Sequence, residues 1–172
     1  MKKTVVAVIV VLVLVSLPAI YWQLGGFNPI RISVEERAGI KLLGLTYRGT
    51  PQDPGMVGTF QGIEEILHKY PGSSLHTLYN IEPAGKLDTL EVFVGVAFQE
   101  EIHAQEDLEL VEMECSQVIV AEIEAHRLVM PSPEKVKSQI EAFAASRSLS
   151  TQGIYVDKII DERRVEVIAP LR

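Results

Sequence analysis

The apolar pattern predicts one helix between strands in the first half of the chain. Residues 31–48 are typical of strands and end at a Gly-Thr-Pro turn. Asp53 can cap a helix, and Pro54 suits its first position. Residues 75–81 and 89–98 then read as two further strands. Apolar residues on one face of the predicted helix recur at helical spacing: Met56, Phe60, Ile63, Leu67, Tyr70.

The second half repeats this order. Residues 108–127 are typical of two strands, and Ser132 followed by Pro133 predicts a second helix start. Residues 153–160 and 163–172 read as two closing strands. The spacing from Arg48 to Pro54 also recurs from Arg127 to Pro133. The apolar face of the second predicted helix consists of Val136, Ile140, Phe143.

A tandem duplication therefore defines the predicted fold. We expect an α+β domain over residues 27–172, with a first strand-helix-strand-strand unit at 30–99 and a second at 108–172. Each unit has an extra leading strand. The strands are expected to form one antiparallel sheet with both helices on one face. The acidic stretch 99–107 is interpreted as a linker or a long hairpin tip.

The start of the chain predicts a membrane anchor. Residues 4–20 carry no charge, Lys2 and Lys3 precede them, and Tyr21 and Trp22 suit a membrane interface. We therefore expect residues 1–26 to be an uncleaved transmembrane signal anchor, crossing with residues 4–22. The protein would be single-pass, with its N-terminus cytoplasmic and its domain extracytoplasmic. A cleaved signal peptide and a buried helix are the alternatives.

Composition narrows the classes of partner. The net charge of −7 repels nucleic acid, which is not expected as a partner. Cys115 is the one cysteine in the sequence, so it cannot form an internal disulfide. The four histidines show no zinc-ligand spacing. We expect neither a metal nor a cofactor.

A groove at the seam between the units is the predicted ligand site. Aligning Arg48 with Arg127 places Leu43, Leu45 and Tyr47 on the sheet face away from the helices in the first unit. In the second unit the corresponding residues are Glu122, Glu124, His126. Carboxylates beside aromatic rings favour a cationic or amphipathic organic ligand. The rings expected at this groove are Tyr47, Tyr79, Phe93, Tyr155. The alternatives are that the glutamates simply face water and that the tyrosines pack within the fold.

Two segments, LVEMECSQVIVAEIEAHR and GIYVDKIIDERRVEVIAPLR, resemble the GyrI-like effector-binding domain over residues 30–172. The resemblance implies two tandem units that bind a small molecule. That family includes ligand-binding halves of transcription regulators, stand-alone binders, some hydrolases, and a membrane-anchored ER-phagy receptor of animals with a similar layout. Tyr155 matches the tyrosine of the family's Glu-x-Tyr motif, and Glu166 falls where a glutamate is common.

One departure from the family pattern concerns catalysis. Gly153 stands where the Glu-x-Tyr motif has its glutamate, which puts hydrolase activity in doubt. We therefore expect a non-catalytic binder of a small organic ligand at the seam. A protein-protein interaction scaffold at the membrane and a hydrolase of electrophilic small molecules remain the alternatives. The predicted ligand-binding residues are Tyr47, Tyr79, Phe93, Glu122, Glu124, His126, Tyr155, Glu166.

Overall fold

The computed structural model describes residues 2–82, 85 and 88–172, and within this part it describes the side chains of all but residues 2–11, 104 and 105. The helices are α1 (Lys2–Gln23), α2 (Pro54–Lys69), α3 (Glu100–Gln105) and α4 (Pro133–Ser146). The strands are β1 (Arg31–Glu36), β2 (Ile40–Gly49), β3 (Leu75–Ile81), β4 (Leu90–Ala97), β5 (Glu109–Met113), β6 (Gln117–Glu124), β7 (Val156–Ile159) and β8 (Arg164–Pro170).

Both predicted helix starts are confirmed. The Asp53 carboxylate accepts a hydrogen bond from the Gly55 amide at 2.7 Å, and Pro54 is the first residue of α2. The Ser132 hydroxyl accepts one from the Lys135 amide at 3.4 Å, and Pro133 begins α4. These side chains satisfy backbone N–H groups that a helix leaves without a partner at its first turn.

The eight strands form one antiparallel sheet in the order β1-β6-β8-β7-β3-β4-β2-β5. The leading strand of each unit is exchanged, because β1 pairs with β6 of the second unit and β5 pairs with β2 of the first. The units meet where β3 pairs with β7, with Leu78 opposite Val156. The seam thus lies at the centre of the sheet.

Short connections force this sheet to curl. Residues 37–39 join β1 to β2, although β6, β8, β7, β3 and β4 lie between them in the sheet. In a flat sheet these strands would be about 29 Å apart, whereas such a connection reaches about 14 Å. The curl encloses one face, the inner face, which is filled by an apolar core: Ile40, Leu42, Leu78, Phe93, Met113, Val118, Val120, Val156, Ile168.

The helices α2 and α4 cover the opposite, outer face of the sheet. Beneath α2 pack β2 and β4 residues, including Leu43, Leu45 and Tyr47. Beneath α4 pack β6 and β8 residues, including Ile119 and Val167. The prediction that both helices share one sheet face is therefore confirmed.

The predicted face of β2 is wrong. Leu43, Leu45 and Tyr47 point toward α2, whereas Leu42 lies in the inner core. The alignment of Arg48 with Arg127 assumed that the strand and the helix are connected in the same way in both units. The connection spans residues 50–53 in the first unit and 125–132 in the second, so its length differs. Because alternate strand residues face opposite sides, an error of one position inverts the whole face.

The segment at 99–107 contains more structure than a linker. It forms α3, and Ile102 in that helix is fully buried in the cluster beneath α2. Lys69 of α2 also pairs with Glu106 at 2.7 Å. One apolar residue within an acidic stretch therefore attaches this connection to the core.

The predicted membrane anchor requires correction. Among the residues whose side chains the structure describes, no helix is long and apolar enough to cross a membrane. In α1 those side chains begin at residue 12. The predicted span at 4–22 extends into side chains outside the described part. The single-pass topology with an extracytoplasmic domain is contradicted.

The segment after α1 is attached to the domain. Gly25 adopts a φ of +82°, which favours glycine and turns the chain. The Leu24 carbonyl accepts a hydrogen bond from the His126 amide at 2.8 Å, and the Asn28 side-chain amide donates to the Glu124 carbonyl at 2.7 Å. These bonds fix residues 24–28 against the end of β6.

Candidate functional site

A cleft of about 370 Å³ opens on the outer face beside the first turns of α4. Its size is within the range of small-molecule sites. Tyr79 and Glu82 come from the first unit, and the rest of the lining comes from the second, so both units contribute to it. We call this cavity the α4 cleft; its lining is Tyr79, Glu82, Ile123, Met130, Pro131, Pro133, Glu134, Val136, Lys137, Tyr155, Asp157, Val165, Val167.

Asp157 is the carboxylate of the cleft that lies on a central strand. It is on β7, directly opposite Thr77 of β3 and Val167 of β8. Burial raises the pKa of its carboxyl from 3.8 to about 6, although the positive charge of Lys137 opposes this shift. No other described residue forms a hydrogen bond or ion pair with this carboxylate. The carboxylate is thus partly desolvated and free to interact with a ligand.

Tyr155 is held in place by a residue of α4. Its hydroxyl donates a short hydrogen bond to Glu141, whose same oxygen accepts one from the Thr151 hydroxyl at 2.6 Å. Burial, followed by the bond to Glu141, raises the pKa of Tyr155 to about 12, so the phenol stays neutral. A fixed, neutral ring is suited to contact a cation or an apolar group.

Tyr79 provides a second ring near the same carboxylate. Burial raises the pKa of its phenol, and the negative charge of Asp157 raises it further. Because Tyr79 and Tyr155 flank the seam between β3 and β7, both rings line the cleft beside Asp157. The side chain of Tyr79 is 36 % exposed, which leaves it accessible from solvent.

Lys137 is the positive charge of the lining. Its ammonium forms an ion pair with Glu82 and lies 5.0 Å from the centroid of the Tyr155 ring. The lining also contains three carboxylates, those of Glu82, Glu134 and Asp157. The lining therefore has a net negative charge when Asp157 is ionised, and this charge favours a cationic ligand.

The backbone at Gly153 explains the departure from the Glu-x-Tyr motif. Gly153 has a φ of +79°, in the left-handed region where other side chains are strained. A Cβ at this position would meet no atom within 4 Å. A glutamate here would therefore be strained by the backbone. Asp157, two residues after Tyr155, provides a carboxylate in the cleft.

Two of the predicted site residues, Tyr79 and Tyr155, lie together in the α4 cleft. Tyr47 lies beneath α2, where its hydroxyl donates to the Thr50 carbonyl at 3.1 Å. Phe93 is 1 % exposed in the inner core. The rings of Tyr47 and Phe93 therefore contribute to packing in the first unit and lie apart from the cleft.

The predicted acidic residues lie on the other face of the sheet. Glu122 and Glu124 pair with Arg31 at 3.0 and 3.7 Å, and Glu166 pairs with Lys158 at 2.9 Å. Glu122 is the register partner of Glu166, so these ion pairs form a row on the inner face. This row does not contribute to the α4 cleft.

His126 is part of the turn that follows β6. Its Nδ1 accepts a hydrogen bond from the Leu128 amide at 3.3 Å, and its carbonyl accepts one from the Val129 amide at 2.9 Å. The imidazole therefore caps the turn, and it does not line the α4 cleft.

Four charged residues of the cleft were not predicted from the sequence: Glu82, Glu134, Lys137 and Asp157. Strand alternation offered a signal for Asp157, because it is two positions after Tyr155 and therefore on the same face. No comparable signal marked Lys137 or Glu82, since their meeting depends on how α4 lies across the seam. For metals, the described residues contain no group of three or more His, Cys, Asp or Glu side chains arranged to hold an ion.

No family model and no curated protein matches this chain. Solved structures do share its fold. An uncharacterized conserved protein from Listeria innocua aligns with a TM-score of 0.59 at 10 % identity, over 85 % of this chain and 95 % of its own. The EcmrR C-terminal domain aligns at 0.54 and 11 %, over 83 % and 98 %. SAV2435 bound to tetraphenylphosphonium aligns at 0.50 and 12 %, over 83 % and 94 %. These alignments show that the chain shares the fold of these proteins.

Proposed function

We propose that this protein binds small organic cations in the α4 cleft, without catalysis. The observation that carries the proposal is Asp157, a partly desolvated carboxylate with the rings of Tyr79 and Tyr155 beside it. A delocalised organic cation gains from the carboxylate by charge and from the rings by their quadrupole, the latter by about 0.5–2 kcal/mol. Apolar side chains such as Val136 and Val167 extend the cleft and favour a hydrophobic ligand.

The fold supports this proposal at a coarse level. SAV2435 is bound to tetraphenylphosphonium, a bulky aromatic cation, and this compound is therefore a suitable first probe. The proposed site differs from the groove predicted from sequence, because it lies beneath α4 on the outer face. The proposal keeps Tyr79 and Tyr155 and replaces Glu122 and Glu124 with Asp157. The scaffold and hydrolase alternatives remain untested predictions.

Isothermal titration calorimetry of the full chain with tetraphenylphosphonium tests the proposal. We expect saturable binding at pH 7.5, and much weaker binding of triphenylphosphine oxide, which has aromatic rings but no net charge. Asp157→Asn should weaken binding of the cation by about 2 kcal/mol, or about thirtyfold, because it removes the partly desolvated charge.

Glu122→Gln is the matched control, since it removes one negative charge from the inner face. We expect it to leave the affinity within about twofold, because an exposed charge on the other face is screened by solvent. Equal losses in the two variants would contradict the α4 cleft as the site. Failure of the wild-type chain to bind tetraphenylphosphonium would contradict the proposed ligand class.

A further inference from the structure

The α4 cleft already contains a cation. The ammonium of Lys137 has three interactions there: an ion pair with Glu82, a position 5.0 Å from the Tyr155 ring centroid, and an electrostatic attraction to Asp157. Carboxylate, ring and second carboxylate are the groups that an organic cation would use in this cleft. The lysine therefore occupies the position that the proposed function assigns to the ligand.

We propose that Lys137 is a tethered competitor, which fills the cation position of the free protein and is displaced when an organic cation binds. This inference rests on the proposed function and adds what controls affinity and selectivity. A lysine side chain is a flexible four-carbon stem with a strongly hydrated charge. Its ammonium, on a side chain that is 27 % exposed, can return to water when a ligand takes its place.

Displacement has a consequence for the chemistry of the ligand. A small ammonium compound offers the cleft little that Lys137 does not already provide, and it meets the repulsion of the lysine charge. A large delocalised cation covers the Tyr79 and Tyr155 rings and also buries apolar surface against Val136 and Val167. Lys137 therefore selects for bulky, weakly hydrated cations over small ammonium ions.

The neighbouring lysine of α4 provides a matched comparison. Lys135 is near the start of the same helix, but it lines an adjoining cavity beside residues 25–30 and is not part of the α4 cleft. Its removal changes the net charge of the protein by the same amount as removal of Lys137. A difference between the two variants therefore reports on the position in the cleft and not on overall charge.

Calorimetry with tetraphenylphosphonium on the full chain measures the competition. We expect Lys137→Met to bind the probe about three- to thirtyfold more tightly than the wild type. In this variant the probe no longer has to displace the lysine ammonium from the Tyr155 ring. Lys135→Met should stay within about twofold of the wild type. Tetramethylammonium should gain more from Lys137→Met than the bulky probe does, because the small ion cannot compensate with apolar contacts.

NMR spectroscopy can detect displacement of Lys137 in the wild-type chain itself. In the wild-type chain with ¹³C-labelled lysine, the ε-protons of Lys137 should be shifted upfield by the Tyr155 ring. Addition of tetraphenylphosphonium should then change this signal toward that of a solvated lysine. The signal of Lys137 is assigned as the one that is missing from the spectrum of Lys137→Met.

The outcomes separate this inference from the proposed function. If the wild type binds the probe and Lys137→Met binds it no more tightly than Lys135→Met does, the tethered competitor is wrong and the cation site stands. If ligand addition leaves the Lys137 signal in its ring-shifted position, displacement is likewise wrong. If neither the wild type nor Lys137→Met binds either cation, both the competitor and the cation site are overturned.

Discussion

The two main helices cover one face of the same sheet in different ways. Beneath α2, large side chains fill the space between helix and strands, with Ile63 and Leu43 fully buried and Phe60, Tyr47 and Leu45 packed around them. Beneath α4, the buried helix residues include the smaller side chains of Val136 and Ala144. The cleft opens next to the first of these. The same succession of elements thus makes a sealed core in one unit and a ligand-sized cleft in the other.

This difference shows where the unit can change without loss of the fold. The inner core joins strands of both units and is independent of either helix. A helix on the outer face can therefore pack less completely at one end, provided the strands beneath it stay paired. The α4 cleft is lined in part by charged residues such as Asp157 and Lys137, whereas the cluster beneath α2 is apolar.

Truncation beneath each helix should give the largest difference. Ile63→Ala beneath α2 removes a fully buried side chain and should lower the free energy of unfolding by about 4 kcal/mol. Val136→Ala, beside the open cleft, should cost about 1.5 kcal/mol, because fewer methylenes are lost and solvent reaches the gap. Urea unfolding followed by circular dichroism measures both. Equal costs per removed methylene would contradict the distinction between a sealed and an open side.

Asp157→Asn should stabilise the free protein. The pKa of Asp157 is raised from 3.8 to about 6 in the folded state, so its carboxyl has no net effect on stability below pH 3.8. It destabilises the fold increasingly as pH rises from 3.8 to about 6, and the penalty is complete at higher pH. At pH 7 the variant should gain up to about 3 kcal/mol in the free energy of unfolding, a gain that should disappear below pH 4.

Urea unfolding of wild type and variant from pH 3.5 to 7.5 measures this dependence. The control is Glu122→Gln, whose charge is paired on the inner face. A loss of stability in Asp157→Asn at pH 7 would show that its carboxylate is stabilised in the free protein, contrary to its partly desolvated position.

Cation binding should depend on the same ionisation. With a pKa of about 6, Asp157 is mostly ionised at pH 7 and mostly protonated at pH 5. The affinity for tetraphenylphosphonium, whose own charge does not titrate, should therefore fall about tenfold between pH 7 and pH 5. Calorimetric titrations at several pH values measure this fall. The affinity of Asp157→Asn should vary little over the same range, and a steep fall in that variant would assign the dependence to another group.

The smallest effect is expected on the inner face. Glu122 and Arg31 form an exposed ion pair, with 44 % and 66 % of the side chains accessible. Such pairs contribute about 0.2–1 kcal/mol, so Glu122→Gln should change stability by less than about 1 kcal/mol, as urea unfolding would show. A larger loss would mean that the row of charges has a structural role that the exposure of its members does not indicate.

The elements of this fold were predictable because their signals are local. Asp53 with Pro54 and Ser132 with Pro133 marked both helix starts, and period-two alternation marked the strands. The exchange of β1 and β5 between units was not predictable, because strand pairing depends on the whole sheet. The short helix α3 was missed because its buried residue, Ile102, lies in a largely acidic stretch.

The candidate site was predictable only in part. Tyr79 and Tyr155 were found because Tyr79 lies in β3 and Tyr155 directly precedes β7, the two strands that meet at the seam. Tyr47 and the glutamates were assigned to a common groove through an alignment that inverted the faces of β2. The alternation of apolar and polar residues predicts which residues of a strand share a face. It does not predict which of the two faces packs against the helix, and that depends on the lengths of the connections at both ends of the strand.

A crystal structure of the full chain with tetraphenylphosphonium tests the proposed cation site most directly. We expect the phosphonium in the α4 cleft, within about 6 Å of the Tyr155 ring centroid, with Asp157 as its nearest carboxylate and the Lys137 ammonium displaced from the ring. A ligand bound on the inner face beside Glu122 and Glu166, or beneath α2, would contradict it.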